Sequence, residues 1–179
     1  MSRIFLLILC LLPFQKDEPV LSWNESYKLT WADFRGLPNN QVSAAAVTAS
    51  GITFGFSVRE TNSVPVSFTT EVHAHFYPEK SWYKPKLADA HVLGHEQLHY
   101  DITELHARKF RKGISQFKVS SSIKNNLRSL HKTINKALAE MQNSYDAETD
   151  YSRNNTAQLK WKLYIERELE KLSEFKSLN

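Results

Sequence analysis

The hydrophobic period of this chain changes once, and that change narrows the fold more than any other feature. Between residues 27 and 78 apolar side chains tend to alternate with polar ones; from 86 to 176 they recur every third or fourth position. The first spacing suits strands with one buried face, the second amphipathic helices. Strands first and helices after, without alternation of the two, predict an α+β domain. An N-terminal antiparallel β-sheet should pack against a C-terminal bundle of about three helices.

In the alternating half, Ala46 to Ser50 reads as a short strand closed by Gly51, and Ile52 to Val58 alternates cleanly. Val66 to Thr69 and Val72 to Phe76 continue the pattern, with a hairpin turn expected over Glu60 to Ser63. His73 and His75 share one strand face. Their alternation with Val72, Ala74 and Phe76 assigns them to the solvent side.

In the helical half, Leu87 to Lys112 reads as one amphipathic helix, with Leu87, Ala90, His91, Leu98, Ile102, Leu105 and Phe110 near helical spacing. Pro85 suits its start, and Gly113, after Arg111 and Lys112, suits its end. Ser120 to Ser122 offer an N-cap for a second helix that turns Ile123, Leu127, Leu130, Ile134, Leu138 and Met141 inward. A third runs from about Thr156, with Leu159, Leu163, Ile165, Leu169 and Leu172 among its apolar positions.

The first of these helices carries His95-Glu96-Gln97-Leu98-His99, an H-E-x-x-H segment. Positions four apart project about 40° apart around a helix axis, so both imidazoles leave one face one turn apart. Two neutral ring nitrogens placed so can bind one Zn²⁺, and Glu96 between them can act on a water at the open coordination position. His91 continues the same face. Three histidines at four-residue steps are a poor way to fill an apolar core, because each needs a polar partner.

Residues 1–17 read as a signal peptide: Arg3, then an apolar run from Ile4 to Phe14 that is too short for an ordinary membrane span. No small-x-small cleavage site follows, so an uncleaved anchor stays open, and it would be the chain's one contact with a membrane. Residues 18–179 then form a single domain, exported to the periplasm, the envelope or the exterior. The lone cysteine, Cys10, lies inside the apolar run, so the mature chain would have no disulfide, thiol nucleophile or thiolate ligand. A hydrophobic share of 41% supports a real core. The net charge of +4 comes from lysines and arginines spread along the helices, which argues against a nucleic-acid partner.

Four blocks across nearly all of the mature chain resemble the DUF922 family of secreted bacterial proteins with an expected zinc-dependent protease activity. They are Leu29-Thr30-Trp31-Ala32-Asp33-Phe34-Arg35-Gly36; Ser81-Trp82; Leu93 to Ile102, with Glu104 and Ala107-Arg108-Lys109 in register; and Tyr145-Asp146-Ala147-Glu148-Thr149, with Gln158 and Trp161 downstream. The resemblance implies a zincin-like fold, zinc as cofactor and a peptide or protein substrate. Relatives continue the last block as Y-D-x-x-T-x-H-G, whereas this chain has Tyr151 and Ser152 in the last two slots.

A catalytic zinc normally takes three protein ligands and keeps one position open. With the histidine slot changed, Asp146 is the first choice for third ligand, Glu148 the second and Tyr151 the third; His91 and His106 are fallbacks. Acids at the end of a helix oppose its dipole and so need another reason to be there. The expected mechanism is peptide hydrolysis at zinc held by His95, His99 and Asp146, with Glu96 as general base. Tyr100, Tyr145 or Tyr151 would assist the oxyanion, Tyr151 foremost, and Asp101 and Glu104 would orient the ligands. The alternative is an envelope binding module that keeps the scaffold and the zinc but has lost turnover. The sequence leaves the oligomeric state open.

Overall fold

In the computed structural model, which describes residues 18–177, the alternating half of the chain folds mainly into one long hairpin. Strand β1 (Leu21–Ser22) and strand β2 (Ala46–Val47) precede it. Its arms are β3 (Ser50–Thr61) and β4 (Val64–Phe76), and a short β5 (Trp82–Tyr83) follows. Three helices complete the chain: α1 (Ala90–Ser115), α2 (Ile123–Glu148) and α3 (Asn155–Lys171). The expected α+β arrangement holds, with a small antiparallel sheet first and three helices after. The signal segment and Cys10 lie outside the described residues.

The hairpin closes at Asn62 and Ser63, both with positive φ (51° and 64°). Two left-handed residues in a two-residue loop match the right-handed twist of the flanking strands. The two runs expected at Val66 and Val72 are thus one strand. The register shifts between Arg59 and Glu60, leaving Val66 as an extra residue on β4 next to Pro65, which has no N–H to give a ladder. β1 pairs on the far side of β4, giving a sheet of order β1-β4-β3, while β2 pairs with β5.

The stretch from Ala46 to Ser50 is therefore two strands in two sheets. Ala46 and Val47 leave to pair with Tyr83 and Trp82, and Gly51 sits inside β3 against the ring of Tyr77. Ile52, Phe54, Phe56 and Val58 from β3 join Val72, Ala74 and Phe76 from β4 on the face that meets the helices. His73 and His75 take the opposite face, as the alternation requires, with their rings stacked 5.7 Å apart.

Helix α1 begins and ends later than its pattern suggests. Asp89, not Pro85, sets the start: its backbone is extended and its side chain accepts from the N–H of Val92. Leu87 lies in the preceding turn and is exposed. Gly113 does not stop the helix. A Cβ there would lie 2.8 Å from Leu130 Cδ2, so the glycine admits α2 instead.

α1 is covered on opposite sides. Tyr100, Ala107, Phe110 and Ile114 pack with the sheet and the first half of α2, whereas Leu98, Ile102 and Leu105 pack with Leu138, Tyr145 and Ile165 from α2 and α3. The inward set on α2 matches expectation, and Ser122 stands at the N-cap position, but its side chain makes no cap hydrogen bond. On α3, Ile165 is buried but Leu159 and Leu163 are exposed, because this short helix buries only one narrow stripe.

Candidate metal centre

Within α1 the four-residue spacing puts His95 and His99 on the face turned to the last turn of α2, where Asp146 arrives. His95 Nε2 and His99 Nε2 are 3.1 Å apart. Asp146 Oδ1 lies 3.1 Å from the first and 2.9 Å from the second. One nitrogen from each ring and one carboxylate oxygen thus converge as a group that could hold a metal ion. The side chain of His95 is 5% exposed, that of His99 12% and that of Asp146 30%, so the group opens on the Asp146 side.

Burial works against ionisation of Asp146, but hydrogen bonds and charge from His95 and His99 outweigh it and hold the carboxyl far below its usual range. For His99, burial lowers the pKa, and the bond to Asp146 together with the charge of Glu96 raises it further than burial lowers it. Glu96 is buried, and its Oε2 has no hydrogen-bond partner among the described residues. His95 Nδ1 is likewise unpartnered. A buried carboxylate oxygen with no partner is costly unless something outside the polypeptide meets it.

Tyr145 forms the inner wall. It is fully buried, stacks on His95 with centroids 4.5 Å apart, and meets His99 edge-on at 4.9 Å. Its hydroxyl donates to the His95 carbonyl (3.4 Å), and Trp161 backs the ring. Beyond Asp146, Thr149 is buried and donates to the Tyr145 carbonyl, ending α2. Asp150, Tyr151 and Ser152 then take three successive positive φ values (49°, 52°, 74°), which reverses the chain into α3.

Of the expected site residues, His95, His99 and Asp146 come together; Glu96, next to His95 in the chain, is buried, and Tyr151 does not join the group: it is 65% exposed. Glu148 accepts from Trp161 Nε1 instead. His91 Nε2 lies 2.6 Å from the Ser152 carbonyl, tying the loop to α1. His106 is buried, with its Nδ1 on the Ile102 carbonyl of its own helix, and burial pushes its pKa down to about 4.

Other supporting roles differ from expectation. Asp101 accepts from Trp23 and Gln97, and Glu104 pairs with Arg108 and Arg111, so neither orients a ligand histidine. The Tyr100 hydroxyl donates to the Leu21 carbonyl, away from the group. Gln142 does hydrogen-bond one of the two histidine rings: its Oε1 meets His99 Nδ1. Its spacing of four from Asp146 on a helix was the available signal.

Residues 32–153, about two thirds of the chain, match the family model described as a bacterial protein of unknown function, DUF922. The chain belongs to this family. The DUF922 match begins in the Leu29 to Gly36 block and ends just past the reversal at Ser152, so it contains all of His95, His99 and Asp146. No curated protein and no solved structure matches the chain.

Proposed function

We propose that this DUF922 protein is a zinc-dependent metallopeptidase of the cell envelope or exterior. The observation that carries the reading is the meeting of His95 Nε2, His99 Nε2 and Asp146 Oδ1, with Glu96, between the two histidines in sequence, keeping a buried carboxylate oxygen unpartnered among the described residues. Two atoms bound about 2.0 Å from a tetrahedral ion lie about 3.3 Å apart, close to the separations of 2.9 to 3.1 Å found here. Two imidazoles and a carboxylate are a familiar donor set for catalytic zinc, and three ligands leave the fourth position for chemistry.

Zinc held there would acidify a water and polarise the scissile carbonyl. Glu96 takes the proton of the attacking water and returns it to the leaving amine. Of the three tyrosines with a hydroxyl near enough in sequence to help, Tyr100 and Tyr145 spend theirs on backbone carbonyls. Tyr151, with an exposed side chain, is left to approach the substrate oxygen. Thr48, which follows β2, donates to the Glu96 carbonyl, and among the described residues β2 is paired on one side only. An extended peptide could add to such an edge next to the base, which favours a peptide or protein substrate. No described helix is long and apolar enough to cross a membrane, so the proposed envelope location rests on the N-terminal segment.

Zinc content and cleavage of casein or a peptide library, with Glu96→Gln as the paired control, test the reading. The amide keeps the shape and the metal but cannot take a proton, so hydrolysis should fall on the order of 10²-fold or more with zinc retained. Equal cleavage by both proteins would remove Glu96 as base. Stoichiometric zinc with no cleavage by either would favour the binding module.

A further inference from the structure

We propose that Gln142 is a positioning residue that fixes the tautomer of His99, so that Nε2 is the nitrogen offered to a metal. The inference rests on the metal-centre reading above. It begins with the backbone carbonyl of His99, which can only accept. Gln142 Nε2 donates to that carbonyl at 2.9 Å and to Thr103 Oγ1 at 3.3 Å. Thr103 donates to the same carbonyl at 3.1 Å. The amide nitrogen is thereby held on that side, and the amide oxygen must face the ring, where it meets His99 Nδ1. An amide oxygen has no hydrogen to give, so Nδ1 carries one. With Nδ1 so occupied, the proton a metal would displace is the one on Nε2, the atom that lies 3.1 Å from His95 Nε2 and faces Asp146 Oδ1 at 2.9 Å, so the lone pair offered falls there.

Three elements lock this one ring. Ser50, at the start of β3, has its hydroxyl 2.7 Å from Thr103 Oγ1; Thr103 and His99 are on α1; Gln142 is on α2. Gln142 and Asp146 lie one turn apart, so a single face of α2 supplies both a ligand and the support of another ligand. His95 is held differently. Its Nδ1 has no partner among the described residues, and its ring rests on Tyr145. Loss of Gln142 should therefore fall on His99 alone.

The test compares wild type, Gln142→Met and Gln142→Glu. Methionine keeps the length and loses both polar atoms, whereas glutamate keeps the acceptor. Long-range proton–nitrogen spectra of the zinc-loaded proteins report which nitrogen of His99 carries the proton. Competition with a chromophoric chelator reports zinc affinity. Wild type should show His99 protonated at Nδ1, and Gln142→Met a mixture with zinc bound about 10- to 100-fold more weakly. Gln142→Glu should restore the wild-type tautomer and bring affinity back to within about tenfold. If Gln142 only braces α1 against α2, both variants will melt earlier while tautomer and affinity stay unchanged, and the proposal fails. Should wild type bind no zinc, the metal reading falls, and loss of the His99 Nδ1 proton signal in metal-free Gln142→Met, against its retention, still decides whether Gln142 holds that proton.

Discussion

The buried His106 makes a quantitative test of the fold. Its ring is 1% exposed and hydrogen-bonded through Nδ1 to Ile102, and burial lowers its pKa from 6.5 to about 4. The folded state thus resists a proton that the unfolded chain accepts. Between pH 6.5 and 4 the unfolded state binds more protons, so stability rises with pH in that window and is lost as pH falls through it. The full difference of about 2.5 pKa units corresponds to roughly 3 kcal/mol, of which roughly 2 kcal/mol is lost by pH 5. Other titrating groups contribute too, so the measurement is a difference. Urea unfolding of metal-free wild type and His106→Asn at about pH 7.5 and pH 5 isolates it. Asparagine can keep the bond to the Ile102 carbonyl and cannot titrate. Wild type should lose roughly 2 kcal/mol more than the variant on acidification. Equal losses, within about 0.5 kcal/mol, would mean that His106 is not buried as a neutral ring.

Two further substitutions separate the metal group from its surroundings. Asp146→Ala should lower zinc affinity by at least about tenfold, while Tyr151→Phe should leave it unchanged; chelator competition on both distinguishes a ligand from an exposed neighbour. Ser152→Gly should raise stability by roughly 0.5–1 kcal/mol, because glycine relieves the left-handed backbone at φ 74° and keeps the carbonyl that meets His91. A lowered urea midpoint would contradict that assignment of strain.

The pair His95 and His99 was legible because helical geometry converts a spacing of four directly into one face. Asp146 was legible only through its block, since 47 residues separate it from His99 and nothing local says that the end of α2 returns there. The departures have physical causes of the same kind. Pro85 and Gly113 bracket the first helix by composition, but the side chain of Asp89 caps it, and the bulk of Leu130 explains the glycine. Ala46 to Ser50 looks like one strand until its ends find different partners, Tyr83 and Phe76. Asp101 and Glu104 lie close to the histidines in sequence, yet the helix aims one at Trp23 and the other at two arginines. Gln142 is not legible in the sequence because an amide carries no chemistry of its own until its geometry is known.

The position of α1 between two apolar clusters ties the order of the His95, His99 and Asp146 group to global order. The backbone that carries His95 and His99 is packed against the sheet on one side and against α2 and α3 on the other. Amides there can exchange with solvent only in openings that dismantle a cluster, so their protection should approach that of the whole domain. The rings of His95 and His99 are then carried on backbone that opens only with the domain, and on the proposed reading the motion that admits a substrate would fall to the reversal after Thr149 and to the short strand β2. A change in core packing far from the metal group, at Phe110 or Ile114 for instance, will be felt there through the helix they share.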